Sequence, residues 1–396
     1  MRILFCSEQP PLQPLDDGIR LPLHALLGEL EKRHEVRVVA LFQPDLAEKD
    51  ARNRDLRLVP RPSTGFLRDA TLVARAEITG RPLRADSLAN RIRPILREEV
   101  SSFVPDVVHV VTGQIAGVRD AVQDRPAVLA AQDAWYRNAS ALAVGATGFR
   151  RLVYRREVDR VRRFEYREYS RYEAVVVVSQ EDADALDSLR PELPLHVIPN
   201  GVDAAFFSPD PSTRPIPMKI VFHGALYHAP NEIAARMLAE QILPLVQAEF
   251  PEASLTIVGR RPLGSIAALD RPDRGIQIAA DVDDVRPWLR AGSVYAAPMT
   301  TGTGIKNKVL EAMACGLPCV VTPRALQGLH VTADHDLLVA SDPMEFAAKL
   351  IDLLRDPQYA RRIGLQGRQY VIRAHDWRAV ARRYEDLYHA LLKCPT

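Results

Sequence analysis

The sequence predicts an α/β fold of two doubly wound, Rossmann-like domains facing each other across a cleft. Three observations predict it. Short, near-continuous apolar runs alternate with helical patterns along the chain, as buried parallel strands joined by helices do. A proline-rich stretch interrupts the alternation near the middle, and the alternation then starts afresh. The 396 residues are also too many for one core, given about 100–200 residues per domain.

Residues 2–8 read as the first strand, 19–33 as an amphipathic helix, and 35–43 (EVRVVALFQ) as the next strand. Further strands are expected at 106–112 (DVVHVVT), 127–133 (AVLAAQD), 174–180 (AVVVVSQ) and 195–200 (LHVIPN). Segment 209–217 carries four prolines in nine residues, which neither a helix interior nor a central strand tolerates. It reads as the interdomain linker. Beyond it, strands are expected at 218–224, 254–259, 275–280, 293–298, 317–323 and 336–340, with helices at 231–250 and 306–315. No fixed-period repeat is visible, which argues against a solenoid. Ligands of such sheets bind outside the carboxyl ends of the strands, so the loops that follow strands are the first place to search.

Composition narrows the class. Hydrophobic residues are 47% and charged residues 26%, an ordinary globular balance. Lys and Arg number 52 against 50 Asp and Glu, and a net charge of +2 gives no field pointing to nucleic acid. Apolar runs such as 174–178 fall far short of a membrane span of roughly 20 residues. The amino terminus, cut by Glu8 and Pro10, lacks the apolar core of a signal peptide. The four cysteines (Cys6, Cys315, Cys319, Cys394) form no CxxC pair and no metal-ligand spacing. A cytoplasmic, multi-domain protein is the expectation.

Several familiar motifs fail. Residues 7–18 hold a single glycine where a nicotinamide or flavin enzyme would show G-x-G-x-x-G, and no P-loop pattern exists. Asp281-Val-Asp283 has the form of a metal-holding D-x-D, but a solvated strand end is the better reading of an acidic triplet in so acidic a chain. No metal ligand is assigned.

One segment carries the argument: Pro298-Met-Thr-Thr-Gly-Thr-Gly304-Ile-Lys-Asn-Lys-Val-Leu-Glu311-Ala-Met-Ala-Cys-Gly316-Leu-Pro318. A strand runs into a Thr/Gly loop that opens a helix, whose free N–H groups and dipole favour an anion. Lys306 and Lys308 add positive charge there, as point-charge partners for phosphate. Glu311 follows on the same helix, where its carboxylate can accept two hydroxyl donors, as a ribose diol offers.

This segment resembles the donor-binding motif of the retaining glycosyltransferases of family 4, which have the GT-B architecture. The resemblance runs along nearly the whole chain. Val197-Ile-Pro-Asn-Gly-Val-Asp203 looks like the family's domain junction, and Ser254-Leu-Thr-Ile-Val-Gly259 like its second C-domain strand. The stretch 282–291 resembles the loop and helix near the nucleotide base, and Trp377-Arg-Ala-Val-Ala-Arg-Arg-Tyr the closing helix. Pro14-Leu-Asp-Asp-Gly-Ile-Arg20, Asp106-Val-Val-His109 and Tyr154-Arg-Arg-Glu157 are similar to the subgroup associated with bacterial exopolysaccharide and exosortase systems.

The resemblance implies a sugar transferred with retention from a UDP-, GDP- or dTDP-sugar to an acceptor hydroxyl on a lipid-linked sugar or small-molecule glycoside. It implies no cofactor and no metal. Residues 1–208 would bind the acceptor and 209–376 the nucleotide sugar, with a helix at about 377–396 rejoining the first domain. Lys306, Lys308, Glu311 and Asp133 are the candidate catalytic residues. Gly18, Arg20, Gly224, Val282, Thr303, Gly304, Ile305 and Val309 join Lys306, Lys308 and Glu311 as candidate donor-binding residues. Three departures matter. Thr303 stands where the family usually has the first of two glutamates, and 224–231 lacks the usual Arg and Lys, His228 being its one candidate cation. Gln132 and Asp133 occupy the loop where a histidine is common.

Gly18 would let backbone approach a pyrophosphate. Arg20 reads as a phosphate contact or a solvated arginine, and His109 as a functional or a core histidine. The stretch 149–173, with nine arginines against five acids, reads first as a core-facing, salt-bridged helix and second as a weak contact with an anionic membrane face. Two other functions remain open: a nucleotide-sugar epimerase or hydrolase on the same fold, and a non-catalytic nucleotide- or glycan-binding protein.

Overall fold

The computed structural model describes residues 1–12, 19–42, 55–61, 74–301 and 306–393. The chain divides into two compact units, Met1–Pro199 with Ala381–Thr396, and Asn200–Val380.

The first unit holds seven parallel strands: β1 (Arg2–Ser7), β2 (Glu35–Phe42), β3 (Leu56–Pro60), β4 (Val107–Val111), β5 (Ala127–Gln132), β6 (Ala174–Val177) and β7 (Leu195–Val197). Their order is β3-β2-β1-β4-β5-β6-β7. Every residue of β4 is buried, which is why its sequence reads as a continuous apolar run rather than an alternation. Strand β3 escapes the sequence reading because its apolar residues alternate with Arg57 and end at Pro60, the pattern of an edge strand. The helix Ala85–Phe103 packs Leu88, Ile92, Leu96, Val100 and Phe103 into the core.

The second unit holds six parallel strands: β8 (Lys219–Ala225), β9 (Ser254–Arg260), β10 (Ile276–Ala280), β11 (Val294–Ala297), β12 (Cys319–Val321) and β13 (Leu338–Val339), in the order β10-β9-β8-β11-β12-β13. The helix expected at 231–250 is broken into Ala229–Met237, a π turn at Leu238–Ile242, and Leu243–Glu249. Pro244 supplies the reason: it has no N–H for the helical ladder, and the ladder widens just ahead of it.

The linker expected at 209–217 lies inside the second unit, and the chain passes between units at Pro199 and Asn200 instead. Ile216 N–H donates to the Ala291 carbonyl (2.9 Å), Ser293 Oγ donates to the Ile216 carbonyl (2.7 Å), and Arg290 Nε donates to Ser208 (2.7 Å). Proline stiffens a segment without making it a joint.

The helix Trp377–Lys393 begins in the second unit and enters the first from Ala381 onward. There Tyr388 Oη and His109 Nδ1 hydrogen-bond at 2.5 Å, and the His109 ring stacks on Phe5 with centroids 4.5 Å apart. His109 is thus a core residue, and burial drives its imidazole down to about 3, so it stays neutral. Glu385 adds bonds of 2.8 Å to both Arg33 and His34. The arginine-rich helix Gly148–Glu168 buries Val161 and Phe164, and its buried Glu168 pairs with Arg81, Arg167 and Arg171.

Tyr388→Phe keeps the ring but strips His109 of its buried partner, so it should cost about 1–2 kcal/mol. A lower midpoint in denaturant unfolding, with an unchanged slope, is the expected result.

Candidate active site

In the second sheet the strand order reverses between β8 and β11, and that switch point is where ligands of open α/β sheets sit. The loop after β8 leads to the helix Ala229–Met237, and the loop after β11 leads to the helix Asn307–Ala314. This second helix forms because Val309, Leu310, Ala312, Met313 and Ala314 all bury into the core. Lys308 and Glu311, three residues apart, then share the remaining face.

Lys308 Nζ hydrogen-bonds Asn231 Oδ1 and lies 5.3 Å from the centre of the Phe222 ring. It also borders Gly224, where a Cβ would stand 3.0 Å from the ammonium and 2.9 Å from Asn231 Nδ2. The cation absent from 224–231 is therefore supplied to that loop by the neighbouring helix. Burial pulls the Lys308 ammonium down to about 8, helped by the charge of Lys306 and opposed by Glu311. Lys306 is buried and occupies the cap position at the start of the helix.

Glu311 Oε2 lies 2.6 Å from Nε2 of His223, a buried residue near the end of β8. Asn231 Nδ2 donates to the Ala225 carbonyl (2.8 Å), fixing the amide that meets Lys308. Gly259 completes the arrangement. A Cβ there would fall 1.8 Å from the Gly224 carbonyl oxygen, so only glycine lets the ends of β8 and β9 close up.

The structure thus brings Lys306, Lys308, Glu311 and Gly224 together. The side chain of Val309 is in the core, which leaves only its backbone for a ligand. Val282 packs half-buried after β10, against the same core. Gly18, Thr303, Gly304 and Ile305 lie outside the described residues. His223 and Asn231 were missed. A histidine beside Gly224 in an otherwise apolar strand was the available signal for the first. Asp281 accepts the Arg261 N–H at 2.7 Å, which ties the loops after β9 and β10. Among the described residues no group of three His, Cys, Asp or Glu is placed to hold a metal ion.

Arg20 and Asp133 belong to the first unit. Arg20 opens the helix Arg20–Leu30. Asp133 follows β5 and accepts from Asn138 Nδ2 at 2.6 Å, and burial raises its carboxyl above the usual range. Nearby Glu165 is pushed up to about 8 by burial and accepts the Tyr136 N–H at 3.3 Å. At the switch point between β1 and β4, buried Glu8 accepts from Arg61 (3.0 Å) and Thr112 (3.2 Å). Thr112 and Gln132, at the ends of β4 and β5, have φ of 81° and 74°. Such strain in non-glycine residues persists where surrounding structure enforces it, often at functional sites.

Residues 18–206 match the model of Glycosyltransferase Family 4, and residues 217–356 match that of Glycosyl transferases group 1. A phosphatidyl-myo-inositol mannosyltransferase of Mycolicibacterium smegmatis is 30% identical over 202 residues, 49% of this chain and 51% of the relative. That match spans about half the length of the relative. A GDP-mannose-dependent alpha-(1-6)-phosphatidylinositol monomannoside mannosyltransferase of the same organism is 24% identical over 97% of both chains. Among solved structures, Anabaena HepE in complex with UDP and glucose superposes with a TM-score of 0.64 at 14% identity, covering 98% of this chain and 100% of that one.

Two parallel, doubly wound units of this kind make the GT-B fold. The chain belongs to the family 4 glycosyltransferases.

Lys308 of the free protein loses its proton near pH 8, and a diphosphate would hold that proton on. Binding of a nucleoside diphosphate should therefore be steady from about pH 7, above the second phosphate ionisation, to about pH 8, and weaken above it by about tenfold per pH unit at most. Lys308→Arg, which stays charged, should flatten the profile. Calorimetric titration across pH checks both.

Proposed function

We propose that this protein transfers a sugar from a nucleotide sugar to an acceptor hydroxyl with retention of configuration. The observation that carries this reading is the buried Lys308 ammonium at the β8/β11 switch point, with an amide as its hydrogen-bond partner and the start of a helix beside it. In this reading the second unit holds the donor. Lys306, Lys308 and the helix start neutralise the diphosphate as the bond from sugar to phosphate breaks and its electron pair passes to the leaving oxygen. Glu311, held by His223, accepts the ribose hydroxyls. The acceptor oxygen forms the new bond to the sugar, and its proton leaves with the diphosphate. Asp133, in the first unit, accepts a hydrogen bond from the acceptor.

The names of the relatives make GDP-mannose the first donor to try and UDP-glucose the second. They also favour a glycolipid acceptor. The resemblance to exopolysaccharide transferases adds lipid-linked sugars. Release of diphosphate from a panel of UDP-, GDP- and dTDP-sugars, in EDTA, tests the reading. Release that depends on acceptor supports transfer, release without acceptor supports a hydrolase, and binding without release supports a binding protein. Glu311→Gln should weaken binding of the bare nucleoside by about one to two powers of ten, since a charge-assisted hydrogen bond is worth roughly 1.5–3 kcal/mol. Unchanged nucleoside binding sinks the ribose assignment.

A glycolipid acceptor would need the first unit near a membrane, and one surface favours this. The hairpin of Trp135–Val144 and Gly148–Glu168 exposes Leu142 (62%), Val144 (83%) and Leu152 (50%) at its tip. Next to them Arg150, Arg151 and Arg155 are exposed, with Asp159 the one exposed acid of that helix among the described residues. Apolar tips ringed by arginine suit an anionic interface. No helix is long and apolar enough to cross a membrane, among the described residues. Leu142→Asp with Val144→Asp should reduce sedimentation with phosphatidylglycerol vesicles while leaving nucleotide binding intact.

A further inference from the structure

At the other end of the second sheet, by the amino ends of β8, β11 and β12, lies a cavity of about 590 Å³. Buried Leu317, Leu353 and Leu354 line it on one side, and the proline-rich segment 209–217 lines it on the other. Close-packed interiors leave few voids larger than a water molecule, and apolar walls offer water little. The size falls within the roughly 300–1,000 Å³ of small-molecule sites. Prolines with fixed φ, pinned through Ile216 and Ser208, keep the segment from collapsing into the space.

Charge at the rim narrows the guest. Arg290 is engaged by the Ser208 carbonyl (2.7 Å) and by Asp210 (3.9 Å). Arg361 is exposed and has no carboxylate partner among the described residues. Leu365, one turn along the same helix, is 51% exposed. A cation beside an exposed leucine at the mouth of an apolar cavity matches an alkyl chain with an anionic head.

The cavity also touches the site's own helix. Cys315 and Gly316, which line it, directly follow Asn307–Ala314, the helix of Lys308 and Glu311. Gly364 presses on this turn so closely that a Cβ would lie 2.2 Å from the Gly316 carbonyl oxygen. A guest that moves the helix Pro357–Ala374 therefore moves the end of the site helix.

We propose that this cavity is a regulatory site for a single-chain amphiphile with an anionic head, whose binding changes nucleotide affinity at the β8/β11 switch point. The nucleotide half rests on the donor-site reading above. The whole protein, titrated with decanoate below its micellar range, should bind it at least about tenfold more tightly than decanol or decyltrimethylammonium. Arg361→Ala and Leu365→Asp, both at exposed positions, should each weaken decanoate by about tenfold without lowering the melting temperature. UDP and GDP are titrated first without amphiphile, so a failed donor-site reading shows there alone. Saturating decanoate should then shift the nucleotide Kd by about fivefold or more, and nucleotide should shift the decanoate Kd by the same factor. Equal binding of the three amphiphiles, binding indifferent to both substitutions, or a nucleotide Kd unmoved by decanoate overturns the proposal.

Discussion

Burying an ammonium beside a neutral amide is the constraint on which the second unit turns. Taking a charge out of water is costly unless a partner compensates it. Lys308 meets the Asn231 amide, while the carboxylate of Glu311 is engaged by His223. The positive potential at Lys308 is thus only partly compensated by its own surroundings. An anion placed beside Lys308 would find the charge already positioned, with little reorganisation left to do.

The backbone is shaped around that amine. Gly224 leaves space beside it, and Gly259 lets β9 follow the same path without striking the Gly224 carbonyl. Asn231 links the pieces, since its amide reaches both Lys308 and the Ala225 carbonyl. The helix Asn307–Ala314 is then held from below by core packing and from its far end by the contact between Gly316 and Gly364.

The first unit stores its tension differently. Two neighbouring strands, β4 and β5, end in the non-glycine residues Thr112 and Gln132 at positive φ, and carboxylates stand close to both ends. Glu8 is neutralised by Arg61, whereas Asp133 and Glu165 are shifted toward their protonated forms by burial. A protonated Glu165 can donate a hydrogen bond that a carboxylate cannot, whereas the Asp133 carboxyl accepts from Asn138, so groups of both kinds stand at these strand ends.

The sequence by itself determined the fold class, because short apolar runs alternating with helical patterns are the local signature of buried parallel strands joined by helices. It also determined the helix bearing Lys306, Lys308 and Glu311, because loop glycines, lysines and the acid are local features of one βα unit. Tertiary structure alone decided what those side chains meet. His223 and Glu311 are far apart in sequence, as are Asn231 and Lys308, and their pairing depends on β8 and β11 being neighbours in the sheet. It likewise decided that 209–217 packs within a unit rather than between units, and that His109 is core. Proline content sets stiffness and a strand pattern sets burial, but neither specifies which distant surface a segment rests on, since that depends on the sum of many long-range contacts.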